Sequence, residues 1–129
     1  MIVVDTSALM AIVLGEPGAD ACAAVLEVEQ HCLISAATLA ETMIVAERRN
    51  VAVEIADLVE GLAIEVVPVT TASARHVAAA YGRLGKGVHP AGLNFGDCFA
   101  YALARERGCP LLFVGEDFSR TDIAAAIPP

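Results

Sequence analysis

The sequence predicts an α/β fold, a three-layer α/β/α sandwich around a central, mostly parallel sheet. Short apolar runs rich in β-branched residues alternate along the chain with longer, alanine-rich segments. Alanine favours helices over strands, whereas short runs without polar alternation are typical of strands that are covered on both faces. The chain has 129 residues, of which 57% are hydrophobic, so we expect a single domain over residues 1–129 with a substantial core.

Four short apolar runs are predicted to form the sheet. The first ends abruptly at Asp5 and the third is closed by Pro68, a residue that cannot donate to a strand ladder. The fourth opens after Pro110. In chain order the predicted strands are Met1–Val4, His31–Ile34, Ile64–Val67 and Leu111–Val114.

Six segments are predicted to be helices because their apolar residues recur at helical spacing. Gly15 ends the first helix and Gly108 the last, as is typical of glycine after a helix. The predicted helices are Thr6–Leu14, Ala19–Gln30, Ser35–Arg49, Val51–Leu62, Thr70–Leu84 and Asn94–Arg107, followed by a helical turn near Phe118. The expected core side chains on them include Met10, Leu39, Met43, Ala46, Phe95, Phe99, Ala102 and Leu103.

The charge balance narrows the classes of function. Eight Lys and Arg stand against 16 Asp and Glu, a net charge of −8, so the chain lacks the basic field of a generic nucleic-acid binder. With no Trp and 5% aromatic residues, it also has little from which to build the stacking sheet of an RRM or OB-type domain. A polyanionic substrate would require a divalent metal or a basic partner to offset the repulsion.

The cysteines and the first residues predict a cytoplasmic location. The four cysteines show no CxxC pairing and lie in or beside apolar segments, so we expect buried thiols rather than disulfides or a zinc site. The apolar stretch Met1–Leu14 is interrupted by Asp5 and Thr6. It is too short to span a bilayer and lacks the basic start of a signal peptide.

Acidic residues follow the predicted strands or begin the helices after them. Asp5 follows the first strand, Glu116 and Asp117 follow the fourth, and Glu41 and Asp97 lie near helix starts. Carboxyl ends of parallel strands meet at one edge of a sheet, so these carboxylates are expected to converge there. Such a cluster repels itself unless a hard cation such as Mg²⁺ or Mn²⁺ is bound.

Three of these acids also fit a purely local role. Asp5 fits the N-cap of the first helix, and Thr38 followed by Glu41 matches a capping box. Asn94 followed by Asp97 also resembles an N-cap with a dipole-stabilising acid. Both interpretations remain open at this point.

Four segments of the chain are similar to those of PIN-domain proteins, in particular the VapC-type toxins of bacterial toxin–antitoxin pairs. They are MIVVDTSALMAIVLGEPG, SAATLAET, HPAGLNFGDCFAYALA and PLLFVGEDFSRTDI, in the expected order over nearly the whole chain. The resemblance implies a PIN-like fold and an Mg²⁺-dependent endoribonuclease, with Mn²⁺ as the alternative ion. The implied reaction cleaves tRNA or ribosomal RNA, inhibits translation and leaves a 5′-phosphate and a 3′-hydroxyl.

The resemblance also implies a role for individual residues. Asp5, Glu41 and Asp97 match the three main acids, and Asp117 matches the fourth, with Glu116 and Asp122 as alternatives. Asp5, Asp97 and Asp117 are the implied metal ligands, and Glu41 is a ligand or a water-orienting base. The implied supporting residues are Thr6 and Asn94.

Partners follow from the same resemblance: RNA, a VapB-like antitoxin that inserts Arg into the acidic site, and a second copy in a homodimer or heterotetramer. Arg83, Lys86 and His89 precede Asn94 and are candidates for RNA contacts, or form a solvated loop. The apolar helices Ala19–Gln30 and Val51–Leu62 are the expected interfaces.

Two non-enzymatic alternatives share the same fold class. A receiver-like signalling module would also carry Mg²⁺-binding acids at strand ends, but the first strand here ends in a single acid. A PIN fold retained only for protein binding would follow if metal binding were lost.

Overall fold

The computed structural model describes residues 1–128 and consists of a parallel sheet with helices on both faces. The strands are β1 (Ile2–Val4), β2 (Cys32–Ser35), β3 (Glu65–Val67) and β4 (Leu111–Leu112). The helices are α1 (Thr6–Leu14), α2 (Ala19–Val28), α3 (Ala36–Arg48), α4 (Ala52–Gly61), α5 (Thr71–Leu84) and α6 (Phe95–Arg107). The α/β/α prediction is therefore confirmed.

The sheet has the strand order β3-β2-β1-β4, and every pairing is parallel. In the register, Val3 pairs with both Leu33 and Leu111, which places β1 in the middle of the sheet. All three residues of β1 are buried. The carboxyl end of β1, where Asp5 follows, therefore lies at the centre of one sheet edge.

Strand residues alternate between two cores, one on each face of the sheet. Val3, Leu33 and Leu111 pack with residues of α5 and α6. Their strand neighbours Val4 and Ile34 pack on the other side with residues of α1 to α4. This division of the apolar side chains produces the three layers.

The structure corrects two expected core residues. Phe95 is 70% exposed, because it is the first residue of α6 and precedes the part of the helix that packs on the sheet. Met43 is 59% exposed, whereas Thr42 and Ala46, four residues apart, form the buried face of α3. Met10 is buried as predicted.

Two element boundaries differ from the prediction by two residues, and most of the others differ by one. β4 ends at Leu112 rather than Val114, because the Val114 N–H donates to the Ser7 hydroxyl instead of a neighbouring strand. α2 ends at Val28, after which Glu29 is extended. The four cysteines are buried free thiols, as expected.

Over residues 1–128, no single helix has the length and hydropathy needed to cross a bilayer. Helices α1 and α2 reach the required length and hydropathy only when taken together, and this pair is bent by 114°.

Candidate active site

The candidate site lies at the carboxyl edge of the sheet, where two helices begin. Asp5 links β1 to α1 and caps it: its Oδ2 accepts from the Ser7 N–H at 3.1 Å and from the Ser7 hydroxyl at 2.7 Å. Its side chain is buried. A buried carboxylate is stabilised there by the positive end of the helix dipole.

Asp97 lies in the first turn of α6, three residues after the N-cap Asn94. Its Oδ2 accepts from the Asn94 N–H at 3.0 Å, and Asn94 Oδ1 accepts from the Asp97 N–H at 2.8 Å. The two residues form a complete capping box. The local role suggested by the sequence is thus present, and it fixes the orientation of a buried carboxylate.

Glu41 reaches the same region from the second turn of α3. The Thr6 hydroxyl donates to Glu41 Oε1 at 2.7 Å and lies 2.9 Å from Thr42 Oγ1. The predicted capping box from Thr38 to Glu41 is wrong, because α3 begins at Ala36 with Ser35 as its N-cap.

Gly96 lets Glu41 approach the start of α6. A Cβ on residue 96 would overlap Glu41 Oε2, so only glycine accommodates the carboxylate in this position. Glycine inside a helix lowers its stability relative to alanine. The close approach of Glu41 gives a physical reason for that cost.

The electrostatics show that four of the acids lie near one another. The pKa of Asp97 is raised to about 6: burial is the largest cause, the hydrogen bond from the Asn94 backbone opposes it, and the charges of Asp117, Asp5 and Glu41 add to it. Burial likewise raises the pKa of Asp5; the Ser7 hydrogen bonds oppose this, and the charges of Glu41 and Asp117 add to it. Each buried acid therefore carries a cost that a cation would relieve.

The chemistry of these donors fits a hard divalent cation. One oxygen each of Asp5, Glu41 and Asp97 is held by a hydrogen bond, and within residues 1–128 the second oxygen accepts none. Carboxylate oxygens are the ligands that Mg²⁺ and Mn²⁺ prefer. The acids are not yet gathered around one point. In the part of the chain that the structure describes, no three His, Cys, Asp or Glu side chains lie in positions that could hold a metal ion together.

The remaining predicted acids follow β4. Asp117 is exposed and acts electrostatically on both Asp5 and Asp97. Glu116 is also exposed. Asp122 instead accepts hydrogen bonds from Tyr101 and Arg105. The Tyr101 hydrogen bond and the charges of Arg105 and Arg83 lower the pKa of Asp122.

The predicted basic residues do not all come together. Arg83 and His89 line one surface depression together with Arg120 and Asp122, and Arg83 also donates to the Tyr101 hydroxyl at 2.6 Å. Lys86 is exposed but does not line this depression.

Sequence reasoning missed three residues of the site: Ser7, Thr42 and Gly96. Ser7 is a polar residue two positions after an N-cap Asp, a spacing typical of a side-chain turn. Thr42 stands next to Glu41, and Gly96 lies inside a predicted helix, where glycine usually has a packing reason. These signals were present but were not specific.

Comparison with known proteins gives a consistent result. The PIN domain family model matches residues 2–124. Ribonuclease VapC30 of Mycobacterium tuberculosis is 44% identical over 130 residues, covering 98% of this chain and 99% of the relative.

Solved structures also share the fold. One is M. tuberculosis VapC20, described as a sarcin–ricin loop cleaving toxin, with a TM-score of 0.78 and 21% identity over 99% of this chain and all of the other. The second is a toxin–antitoxin complex from Klebsiella pneumoniae, with a TM-score of 0.70 and 17% identity over 95% and 93% of the two chains. The family match rules out the receiver-like alternative. This chain belongs to the PIN domain family and, within it, to the VapC ribonucleases.

Proposed function

We propose that this chain is a divalent-metal-dependent endoribonuclease toxin that is restrained by an antitoxin. One observation carries the proposal: Asp5, Glu41, Asp97 and Asp117 come from four separate parts of the chain, and the charges of Glu41 and Asp117 act on both buried aspartates at one sheet edge. A set of mutually repelling, partly buried carboxylates is costly unless it binds a cation. The ribonuclease names of relatives that are 44% identical over nearly the full length support the same reaction.

Asp5, Asp97 and Asp117 are the proposed ligands for Mg²⁺, with Mn²⁺ as the alternative. The bound ion would acidify a water and neutralise charge that develops on the scissile phosphate. Asn94 and Ser7 orient the two buried aspartates through their hydrogen bonds. Glu41, held through Oε1 by Thr6, directs its other oxygen toward the start of α6 as a ligand or a water-orienting base.

The proposed fourth acid is Asp117 rather than Glu116 or Asp122. Asp117 contributes to the raised pKa of both buried aspartates, whereas Asp122 pairs with Arg105. Mutation separates them: Asp117→Asn should lower the cleavage rate at least tenfold, while Glu116→Gln and Asp122→Asn should leave it within a few-fold of the wild type.

The decisive experiment is RNA cleavage in vitro with purified protein and total RNA. We expect cleavage with Mg²⁺ or Mn²⁺, none with EDTA, and 5′-phosphate ends that sequencing can map to tRNA or ribosomal RNA. Asp5→Asn and Asp97→Asn should abolish cleavage while far-UV circular dichroism stays unchanged. Metal-dependent cleavage that persists undiminished in both variants would overturn the proposal.

A protein-binding PIN domain without activity is the second outcome of this experiment. It would be indicated if the wild type showed neither cleavage nor a metal-induced rise in melting temperature. The four acids would then serve only as helix caps and surface charge.

The proposed partners follow from the charge and from the exposed apolar residues. A VapB-like antitoxin with an Arg near its end would neutralise the acidic cluster of a chain with net charge −8. Val28 at the end of α2 and Val53 on α4 are 80% and 68% exposed, which favours these helices as antitoxin or homodimer surfaces. RNA as substrate places the protein in the cytoplasm under this proposal.

A further inference from the structure

Phe95 exposes an aromatic ring in the first turn of α6, the helix that carries Asp97. It is 70% exposed, whereas Tyr81 is 41% exposed and the other four aromatic side chains, all within residues 1–128, are buried or half-buried. A single exposed apolar residue is ordinary on a protein surface. Its position at the site is what requires an explanation.

The ring is attached between two residues that build the site. Asn94, on one side, holds Asp97 through the capping box, and Gly96, on the other, contacts the Glu41 carboxylate. Asp97 itself follows two positions later. The backbone of Phe95 therefore lies at the rim of the acidic cluster, and its exposed ring projects from there.

The orientation of the ring is set by a second aromatic residue. Phe99, one helical turn later, packs against Phe95 with ring centroids 5.0 Å apart and planes at 83°. Such an edge-to-face pair is a favoured arrangement that limits rotation of both rings. Since most of Phe95 remains exposed, a ring face stays open to solvent in an ordered position.

The local charge favours an uncharged contact with RNA at this point. Four carboxylates repel phosphates near the site, and the cations Arg83 and Arg120 line a different depression, beside Asp122. Stacking of a base on an aromatic ring does not depend on charge and tolerates any base. Recognition of RNA by proteins commonly uses unpaired bases stacked on such rings.

We propose that Phe95 is a stacking platform for one unpaired base next to the scissile phosphate. The inference rests on the proposed ribonuclease function and assigns to Phe95 a contact with a base of the RNA substrate. Phe95 binds the base, the carboxylates act at the phosphate, and Phe99 holds the platform ring in place.

Steady-state kinetics provide the first test, with a labelled single-stranded RNA that spans a mapped cleavage site. Phe95→Ala and Phe95→Leu should raise KM roughly 10- to 100-fold with little change in kcat, and Phe95→Trp should restore KM. Leucine keeps an apolar side chain without a ring face. A wild-type KM in Phe95→Leu would therefore overturn stacking.

Tryptophan fluorescence provides the second test, because the chain has no Trp. Phe95→Trp introduces a single fluorophore, and in EDTA an unstructured single-stranded RNA should quench it without being cleaved. Val28→Trp is the matched control: residue 28 is 80% exposed and precedes β2, at the amino edge of the parallel sheet. An abasic oligonucleotide of equal length should bind without quenching either variant.

The outcomes distinguish failure of this inference from failure of the proposed function. If the wild type cleaves RNA but Phe95→Ala keeps its KM and Phe95→Trp is not quenched, the stacking role is wrong and the nuclease stands. If no RNA is cleaved in any metal, the proposed function fails first. If Phe95→Ala weakens only self-association or antitoxin binding, the ring belongs to a protein interface and the inference is overturned.

Discussion

Each buried carboxylate of the site has two oxygens in different surroundings. One oxygen of Asp97 accepts the Asn94 N–H, and one oxygen of Asp5 accepts the Ser7 hydroxyl. A hydrogen bond to a helix start favours the charged form, whereas burial and the neighbouring acids disfavour it. The pKa of Asp97, raised to about 6, shows that the unfavourable effects are the larger ones.

The raised pKa of Asp97 predicts a stability that depends on pH in the absence of divalent cations. The folded state holds the proton more tightly than the unfolded state, whose pKa is the ordinary 3.8. The free energy of unfolding should therefore fall as the pH rises from about 4 to about 6. Asp97→Asn should remove this loss and be more stable than the wild type at neutral pH, by roughly 1–3 kcal/mol.

Urea denaturation of both proteins at about pH 4 and about pH 7, in EDTA, measures this effect. The two should have similar stability at the lower pH and diverge at the higher one. Adding Mg²⁺ should stabilise the wild type and not Asp97→Asn. If Asp97→Asn is the less stable protein at pH 7, the charge of Asp97 contributes favourably as a cap and the predicted cost is absent.

Gly96 is expected to separate activity from stability. In Gly96→Ala the new methyl group would displace the Glu41 carboxylate, a flexible group that can rotate away. Alanine favours the helix by up to about 1 kcal/mol. We expect unchanged or higher thermal stability with at least tenfold slower cleavage, measured by melting temperature and by the RNA assay.

Gly61→Ala is the matched control for this substitution. Gly61 is the last residue of α4, and a Cβ there meets nothing within 4 Å. This variant should cleave RNA as the wild type does. Full activity in Gly96→Ala would mean that the position of Glu41 against α6 is not required.

At the scale of elements, the Ser7 hydroxyl connects the two strand ends that carry acids. It donates to Asp5 after β1 and accepts from the Val114 N–H after β4 at 3.0 Å. The segment that follows Val114 carries Asp117. The Ser7 side chain thus connects the strand end that carries the buried Asp5 to the segment that carries the exposed Asp117.

Ser7→Ala should therefore weaken both the fold and the reaction. It leaves the Val114 N–H without its partner, which costs about 1–2 kcal/mol of stability, and removes a hydrogen bond that lowers the pKa of Asp5. Ser73→Ala, which breaks the capping box of α5, should cost a similar amount of stability and leave cleavage intact. Chemical denaturation and the RNA assay together test this, and equal activity in the two variants would contradict a role for Ser7 in the site.

Elements with strong periodic patterns were the predictable ones. Helix α1 has the predicted bounds, because Asp5 caps it and Gly15 ends it in a left-handed conformation. β4 is shorter than predicted because the Val114 N–H donates to the hydroxyl of Ser7, 107 positions away, a contact that no local pattern reveals. The exposure of Phe95 was missed for a related reason: helical spacing identifies a face but not which turns of the helix are covered.

The candidate site was also predictable only in part. The parallel sheet brings strand ends together, so the convergence of Asp5 and Asp97 followed from topology. The choice among Glu116, Asp117 and Asp122 did not, since the segment after β4 has no periodicity and its course is set by tertiary contacts such as that of Asp122 with Arg105.

Over the whole molecule, charge is distributed unevenly along the chain. Most of the acids precede Thr71, whereas most of the cations follow it. These later cations are Arg75, Arg83, Lys86, Arg105, Arg107 and Arg120. RNA is therefore expected to approach the part of the molecule formed by α5, α6 and the last segment, despite a net charge of −8.

This distribution predicts which cations control the salt dependence of RNA binding. Arg120 lines the depression shared with Arg83 and His89, so Arg120→Ala should weaken binding of single-stranded RNA and reduce the slope of log K against log salt by about 0.7, the loss of one phosphate contact. Arg49→Ala, at the end of α3, changes the net charge by the same amount and should leave the slope unchanged. Fluorescence anisotropy over a salt series in EDTA measures both slopes. If the two variants lower the slope equally, the overall charge governs binding and the depression has no special part in it.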